Sequence, residues 1–483
     1  MLVVGGGLAG ISAALRLADH GRAVTLLEAR PRLGGAAVSF QRDGLSIDNG
    51  QHIFLRCCTA YREFLDRIGA ADRVRLQSHL DVRVKRPDGT QAALSRTPRV
   101  PAPLHLARAL ARYRLLSPYE RALAVGGAVA LRTLNPANGR LDERTFGQFL
   151  RRHRQSKAIA DNLWGVLVTA TLNIDPEQAS LQLAAKVFRT GLLDSADAAD
   201  VGHAIVPLGE IHHDLALTAL HKAGVEVRLN ARLERIGGAA GVDADHGLVM
   251  VRERATERIL RPGAVVLAVP AYRLSGIAGV PAQPASRLGS SPIVNVHVIY
   301  DRAVTELDFS AAVRSPVQWV FDRTSSSGVA GQHPDAQYLA ITVSAADELI
   351  DRRSQDIIDE YRLALAELFP AAKQAVVLDA FVTRERRATF RQAAGSGSLR
   401  PLPGSSVFTP STAGLVPARN TVEHNADQEM PVVLAGAWTA TGWPDTMESA
   451  VRSGQAAASV VNSRSAMRSR TELVDSVKKV GKL

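Results

Sequence analysis

Short apolar runs alternate along this chain with stretches of helical periodicity. Residues 2–4 are apolar and run into Gly5-Gly6-Gly7. Residues 8–20 carry apolar side chains at helical spacing and stop at Gly21. Residues 23–27 read as a second strand ending on Glu28. This pattern predicts strand, glycine turn, helix and strand, the opening of a doubly wound sheet. Helices are expected in 100–135 and through 142–190. Residues 224–236 alternate like strands, with a hairpin region to about 260. A buried strand at 264–269 is closed by Pro270. Strands follow at 293–300 and 337–343, and a helix at 354–368. Residues 394–406 are rich in Gly and Ser and read as a loop. A last buried strand is expected at 432–435 and a last helix at 446–461. The polar residues 463–483, with Lys478, Lys479 and Lys482, read as a frayed terminus.

At 483 residues the chain is too long for one simple core, so two interleaved domains are expected. Hydrophobic residues are 46% and charged residues 22%, which excludes disorder as the main state. The only cysteines, Cys57 and Cys58, are adjacent. That points to a reducing compartment and to no cysteine metal site; no metal is expected. The net charge is +11, carried mostly by arginine. An Arg-rich codon usage and an anionic membrane surface are the two readings of that charge. No nucleic-acid motif accompanies it, so no nucleic-acid partner is expected. No run of about 18 uncharged apolar residues exists, and no signal peptide precedes the first motif. A cytoplasmic location is therefore expected, with the true start open to lie a few residues upstream.

Gly5, Gly7 and Gly10 form G-x-G-x-x-G between a strand and a helix. The first permits the tight turn, the second lets backbone approach a pyrophosphate, and the third lets helix and strand pack. The helix then points free N–H groups at phosphate. Glu28 lies 18 residues after Gly10, at the end of the second strand, where a carboxylate can accept both hydroxyls of a ribose. Together these indicate a dinucleotide site. NAD and FAD share this turn, so the rest of the chain must choose between them.

Residues 28–35 read Glu-Ala-Arg-Pro-Arg-Leu-Gly-Gly, and 435–454 read Ala-Gly-Ala-Trp-Thr-Ala-Thr-Gly-Trp-Pro-Asp-Thr-Met-Glu-Ser-Ala-Val-Arg-Ser-Gly. Both segments resemble the flavin amine oxidases and phytoene desaturases. The resemblance implies FAD as cofactor. It implies an α/β fold: a Rossmann-like, GR2-type FAD-binding dinucleotide fold with an interleaved α+β substrate domain. The expected division is FAD-binding in 1–80, 205–272 and 426–465. Substrate parts are expected in 81–204, mostly helical, and 273–425, with a tail at 466–483. The implied FAD contacts are Gly5, Gly7, Leu8, Ala9, Gly10, Glu28, Ala29, Arg32, Gly34, Gly35, Gly50, Gln51, Leu233, Gly436, Ala437, Thr446 and Met447. Two positions depart from the pattern. Ala36 stands where an Arg is usual, with Arg32 a substitute, and Ala437 stands where an acid is usual. The last helix begins near the isoalloxazine in that family, and a helix N-terminus stabilises negative charge there.

Further segments narrow the resemblance. They are Asp48-Asn-Gly-Gln-His52, Leu172-Asn173, Val206-Pro207-Leu208, 291–302, Gln318-Trp-Val-Phe-Asp-Arg323 and Glu385-Arg-Arg-Ala-Thr-Phe390. In order, they resemble the hydroxysqualene dehydroxylases, over residues 2 to about 460. The resemblance implies hydroxysqualene as substrate, squalene and water as products, and a hydride from reduced FAD in bacterial squalene and hopanoid synthesis. Replacing C–OH by C–H needs an acid to protonate the leaving hydroxyl and a hydride donor. Asp48 and His52 are the candidate catalytic residues, His52 being the easier donor. The alternative is that both merely hydrogen-bond flavin or backbone. His297, Trp319 and Phe321, at strand spacing, read as core, although the two aromatics could line a pocket.

A squalene-like substrate dissolves in bilayers. Peripheral association with the inner face of the cell membrane is therefore expected, through the Arg-and-Leu helices of 104–135; the alternative is that these helices pack on their own domain. No second nucleotide turn is present, so a separate flavin reductant is expected. The competing readings are a carotenoid or phytoene desaturase-type oxidoreductase and a flavin-free prenyl-binding escort protein.

Overall fold

The computed structural model describes residues 1–237, 247–408 and 430–480, with backbone only for 465–480. Its first sheet is parallel, in the order Glu226–Leu229, Thr25–Glu28, Leu2–Val4, Val265–Leu267, Val432–Leu434. The N-terminal strand is thus central, with later strands added on both sides, as a doubly wound sheet requires. Leu2–Val4, Val265–Leu267 and Val432–Leu434 are buried throughout, which explains their continuous apolar runs, whereas the edge strand Glu226–Leu229 has no fully buried residue. The second strand starts at Thr25 rather than 23 and takes in Glu28.

The first helix, Leu8–Asp19, packs against the last, which begins at Met447, and Ser12 Oγ donates to Val451 O at 3.2 Å. The two ends of the chain therefore share one core with Val3, Ile11, Val433 and Val451. Glu448 extends this junction. Its carboxylate accepts from Ala60 N at 3.2 Å and Tyr61 N at 2.8 Å, at the N-terminus of the Thr59–Arg67 helix.

A seven-stranded sheet forms the second layer. Its order is Val377–Thr389, Ser291–Tyr300, Gln337–Ser344, Trp319–Asp322, Phe309–Ala312, Asp81–Lys85, Gln91–Ser95. The last two strands come from the stretch expected to be mostly helical. Asp81-Val-Arg-Val-Lys85 does alternate, with Val82 and Val84 buried, but the run is only five residues long and falls within the stretch that reads as helical. Asn173 ties this sheet to the helices: its amide nitrogen donates to Ser291 O at 3.0 Å, and its oxygen accepts from Ala345 N at 2.6 Å.

The helices expected in 100–135 are Ala107–Ala111 and Pro118–Thr133. Leu115 and Leu116 are buried, and Leu106 and Leu110 pack on the same core, so most of the leucine face belongs to the protein's own interior. The Ser354–Leu368 helix lies where its periodicity placed it. The expected frayed tail is instead helical through Val480. Nothing between Gly454 and Gly481 breaks a helix: the stretch holds no Gly and no Pro. Part of the hairpin near 240, the boundary at 425 and Lys482 lie outside the described residues.

Candidate functional site

The glycine turn is held from two sides. Glu28 accepts Gly6 N on one oxygen at 2.7 Å and Arg30 N on the other at 2.8 Å. The second strand's end is thereby locked to the first strand's turn, while both oxygens retain capacity for further donors. A Cβ on Gly10 would lie 1.8 Å from Gly5 O, so helix and turn meet only because Gly10 has none. Gly7 pairs with Gly34, and a Cβ on Gly35 (φ +63°) would lie 2.9 Å from Gly7 Cα. The two glycine segments, about thirty residues apart in sequence, are one structural unit. His213 Nδ1 accepts Leu33 N at 3.1 Å, and His212 Nδ1 meets Ala37 O at 3.1 Å, so the Glu210–Leu215 segment supports the second loop.

The first helix has Gly7 as N-cap and no side-chain cap, which leaves its first amides available to a ligand. Leu8, Ala9 and Gly10 are buried here, so only their backbone can meet a cofactor. Gly5, Gly7, Glu28, Arg32, Gly35, Gln51, Ala437, Thr446 and Met447 each keep part of their surface open. Arg32 Nε and Gln51 Nε2 are buried without a protein partner, as expected of groups facing an absent ligand. Gly34 and Gly436 are buried, as is Gly50, while Ala29 and Ala36 are exposed. Leu233 is buried in the antiparallel Ala231–Ile236 strand, opposite Val251. The Gly436–Trp443 loop is fastened from behind by Arg400. This guanidinium, 4% exposed, donates to Trp438 O at 3.2 Å, Thr439 O at 2.5 Å and Trp443 O at 2.8 Å. Donors and open surface fit a long dinucleotide.

The segment Asp48-Asn-Gly-Gln-His52 is held from four segments of the chain. Arg323 Nη2 donates to Asp48 Oδ2 at 2.7 Å. Asp48 Oδ1 accepts Ser39 Oγ at 2.6 Å and Leu208 N at 3.0 Å. Asn295 Nδ2 donates to Asn49 O at 3.0 Å. Segments that resembled one family in sequence, 48–52, 206–208, 291–302 and 318–323, thus converge on one place.

A small cavity lies there, lined by Gln51, His52, Ile53, His203, Phe321 and Arg323 among others. His52 Nδ1 meets Gly50 O at 3.0 Å, so Nδ1 carries the hydrogen and Nε2 is the acceptor. Burial, the largest influence, lowers the His52 pKa, partly offset by the Gly50 carbonyl and Asp48. Neutral imidazole with Nε2 as acceptor is a poor proton donor, and Asp48 is committed to three partners. His203 Nδ1, also lining the cavity, has no protein partner.

His297 is a satisfied core residue, bonded to Tyr338 Oη at 2.7 Å and Thr383 Oγ1 at 2.9 Å. Trp319 and Phe321 belong to the same buried cluster, and Phe321 also faces the cavity. No metal-binding cluster exists among the described residues.

Sequence reasoning missed two groups: Arg323 as the partner of Asp48, and Arg400 behind the Gly436–Trp443 loop. Arg323 closed a motif already singled out, so its charge beside a run of apolar residues was the available signal. Arg400 sits in a loop, where no periodicity marks an inward-facing side chain.

Known proteins place this architecture. The model of the family described as flavin containing amine oxidoreductase matches residues 8–462. Hydroxysqualene dehydroxylase of Rhodopseudomonas palustris is 27% identical over 95% of this chain and 97% of its own. A 15-cis-phytoene desaturase of Glycine max is 25% identical over 84% of this chain and 73% of its own. Wild-type putrescine oxidase bound to putrescine superposes with a TM-score of 0.64 at 16% identity, over 96% of this chain and 98% of that one. An oxidoreductase from Methanosarcina mazei gives 0.67 at 14%, over 94% and 98%. Fold, glycine turns and full-length match agree: this chain belongs to the flavin containing amine oxidoreductase family, with FAD as its cofactor.

Proposed function

We propose that this chain reduces hydroxysqualene to squalene, releasing the hydroxyl as water. The observation that carries the reading is convergence. The segments whose order resembles the dehydroxylases meet around the Asp48–Arg323 pair, and relatives with that name match nearly the whole chain.

FAD, when reduced and bound, supplies the hydride. In this reading Gly5, Gly7, Gly10 and the amides of Leu8 and Ala9 hold its pyrophosphate. Glu28 takes the ribose, with Ala29 and Leu233 beside the adenosine end. Arg32, Gly34 and Gly35 complete the phosphate side. Gly50, Gln51, Gly436, Ala437, Thr446 and Met447 face the remainder. Asp48, neutralised by Arg323, is a positioning residue: it fixes the loop that presents Gln51 and His52. His52 and Phe321 form part of a substrate wall, where an aromatic face favours positive charge developing on an allylic carbon.

The substrate partitions into bilayers, so the protein works at a membrane surface. The Pro118–Thr133 helix buries only Ala124, Gly127 and Leu131, and exposes Tyr119, Val125 and Val129. Leu104 is exposed as well, Arg108, Arg112 and Arg114 are exposed in the segment before this helix, and Arg121 lies in its first turns. Exposed apolar side chains in an arginine-rich segment suit an anionic interface. Electrons reach FAD from a separate reductase.

The test supplies hydroxysqualene and a flavin reductant to the purified yellow protein and identifies the product. Squalene with water is expected. New conjugated double bonds from phytoene, with no squalene from hydroxysqualene, would establish the desaturase reading instead. A colourless protein that takes up no FAD would favour the escort reading.

A further inference from the structure

A cleft of about 540 Å³ opens beside the end of the Pro118–Thr133 helix, within the range of about 300–1,000 Å³ usual for small-molecule sites. Phe149 and Leu181 form its buried floor, and Leu134 and Leu141 its half-buried walls. The floor is fixed: Phe149 stacks on Phe146 with ring centroids 5.9 Å apart, and Leu181 N donates to Arg144 O at 3.0 Å. Arg144 and Arg152 stand exposed at the rim. The cleft shares no lining residue with the cavity at His52 and Phe321.

The rim carries positive charge without a counter-charge. No carboxylate lines the cleft, and neither the Arg144 nor the Arg152 guanidinium has an ion pair or hydrogen bond among the described residues. Two neighbouring arginines are committed elsewhere: Arg151 to Glu177, and Arg189 to Asp194 and to Leu134 O at 2.7 Å. Residues 130–155 hold six arginines and two acids, and one of those acids, Asp142, is buried against Ser180 and Gly397. An apolar floor beneath two unpaired guanidiniums matches a ligand with a hydrocarbon tail and an anionic head, and phosphate oxygens suit the guanidinium fork. A squalene-like substrate is neutral there and has no group for these arginines.

The helix points to the source of the tail. Val125, Val129 and Thr133 recur every four residues, so they share one helix face. Val125 and Val129 are 49% and 58% exposed, and Thr133 lines the cleft together with Ala130. The exposed apolar face therefore continues into the cleft wall, and a bilayer under that face would meet the cleft directly. We propose that this cleft binds one anionic phospholipid taken from the bilayer, with an acyl chain over Phe149 and Leu181 and the phosphate on Arg144 and Arg152. The source of the lipid rests on the membrane contact proposed above; the chemistry of the cleft does not.

The experiment titrates holoprotein calorimetrically with dioctanoyl phosphatidylglycerol below its micellar concentration. Dioctanoyl phosphatidylcholine and glycerophosphate are the comparison ligands. One lipid per chain is expected, bound at least about tenfold more tightly than either comparison ligand. The double variant Arg144→Gln with Arg152→Gln is expected to lose at least about tenfold in affinity while keeping its FAD absorbance and unfolding midpoint. Ala130→Phe, which narrows the cleft, is expected to weaken binding as well. Wild-type affinity in the double variant would overturn the proposal. So would equal binding of glycerophosphate, which needs no apolar floor, or of phosphatidylcholine, which needs no net negative charge. Displacement of the lipid by hydroxysqualene would make the cleft part of the substrate's path and overturn it too. Sedimentation with anionic liposomes separates this site from the membrane contact. Protein that sediments but takes up no monomeric lipid loses the cleft assignment and keeps the contact. Protein that takes up the lipid but ignores liposomes loses the contact, and the bilayer as the lipid's source with it.

Discussion

Asp48 and Arg323 meet at 2.7 Å with side chains 4% and 10% exposed, and their contact joins the Leu45–Asp48 strand to the end of the Trp319–Asp322 strand. Each charge is tolerable in that place only because of the other. Arg323 also donates to Ala204 O at 3.0 Å, so the pair holds three chain segments around the candidate cavity.

Removing one partner leaves the other charge buried. Arg323→Ala should destabilise the protein by about 3–5 kcal/mol. Asp48→Asn combined with Arg323→Ala should cost less than the sum of the two single changes, because the stranded charge is gone. Thermal or urea unfolding of the four proteins checks this; additive losses would mean the pair is not coupled.

The glycine unit makes a prediction about colour. Gly10→Ala places a Cβ 1.8 Å from Gly5 O, and Gly35→Ala places one 2.9 Å from Gly7 Cα. Both changes should leave purified protein that is folded by circular dichroism and depleted in flavin absorbance. Gly224→Ala, at a positive φ with open space around it, is the control for backbone strain and should remain yellow.

The resemblance of the two flavin segments implies charged FAD contacts at positions 36 and 437, where this chain carries alanine. Ala36 is exposed and Ala437 half-buried, so longer side chains have room to enter. Ala36→Arg and Ala437→Asp should each tighten FAD binding by about tenfold, the value of one charge-assisted hydrogen bond. Titration of the apoprotein with FAD measures it; unchanged affinity in both would place these positions off the cofactor.

Stability should have two opposed pH limbs. Asp445 has a folded pKa of about 6, above that of an unfolded aspartate, so its contribution is present in acid and lost as pH rises from about 4 to 6. His297 has a folded pKa of about 3 because burial disfavours its charged form, so its contribution is present above about 6.5 and lost as pH falls. Asp445→Asn should therefore raise stability above pH 6, by about 3 kcal/mol at most, and leave strong acid unaffected. His297→Gln should flatten the acid limb instead. Midpoints measured from pH 4 to about 8 separate the two, and parallel profiles would refute the assignment.

The exposed apolar face makes the last prediction. Tyr119, Val125 and Val129 are 71%, 49% and 58% exposed. Replacing all three with Asp should abolish sedimentation with anionic liposomes at low salt and leave conversion of detergent-dispersed substrate intact. Wild-type protein that ignores such liposomes would defeat the idea directly.

The amino-acid sequence by itself determined the nucleotide half. The apolar runs at 2–4 and 264–269, the turn from Gly5 to Gly10, and Glu28 at a strand end are local features. Short-range sterics and period-two or period-3.6 patterning dictate them without knowledge of the rest of the chain. The Ser354–Leu368 helix was legible for the same reason. The strands at 81–85 and 91–95 were not: they are short, and the hairpin they form is held in a sheet only through the pairing of 81–85 with Phe309–Ala312, more than two hundred residues away. Only the tertiary structure decided the chemistry of the acids. Asp48 and Asp445 are the same residue type, and nothing local distinguishes them. The long-range placement of Arg323 beside one, and the burial of the other with Arg400 turned to backbone carbonyls, set which carboxyl is ion-paired and which titrates above the usual carboxylate range. A side chain's charge state depends on desolvation and on neighbours brought close by folding, and neither quantity is written at the residue itself.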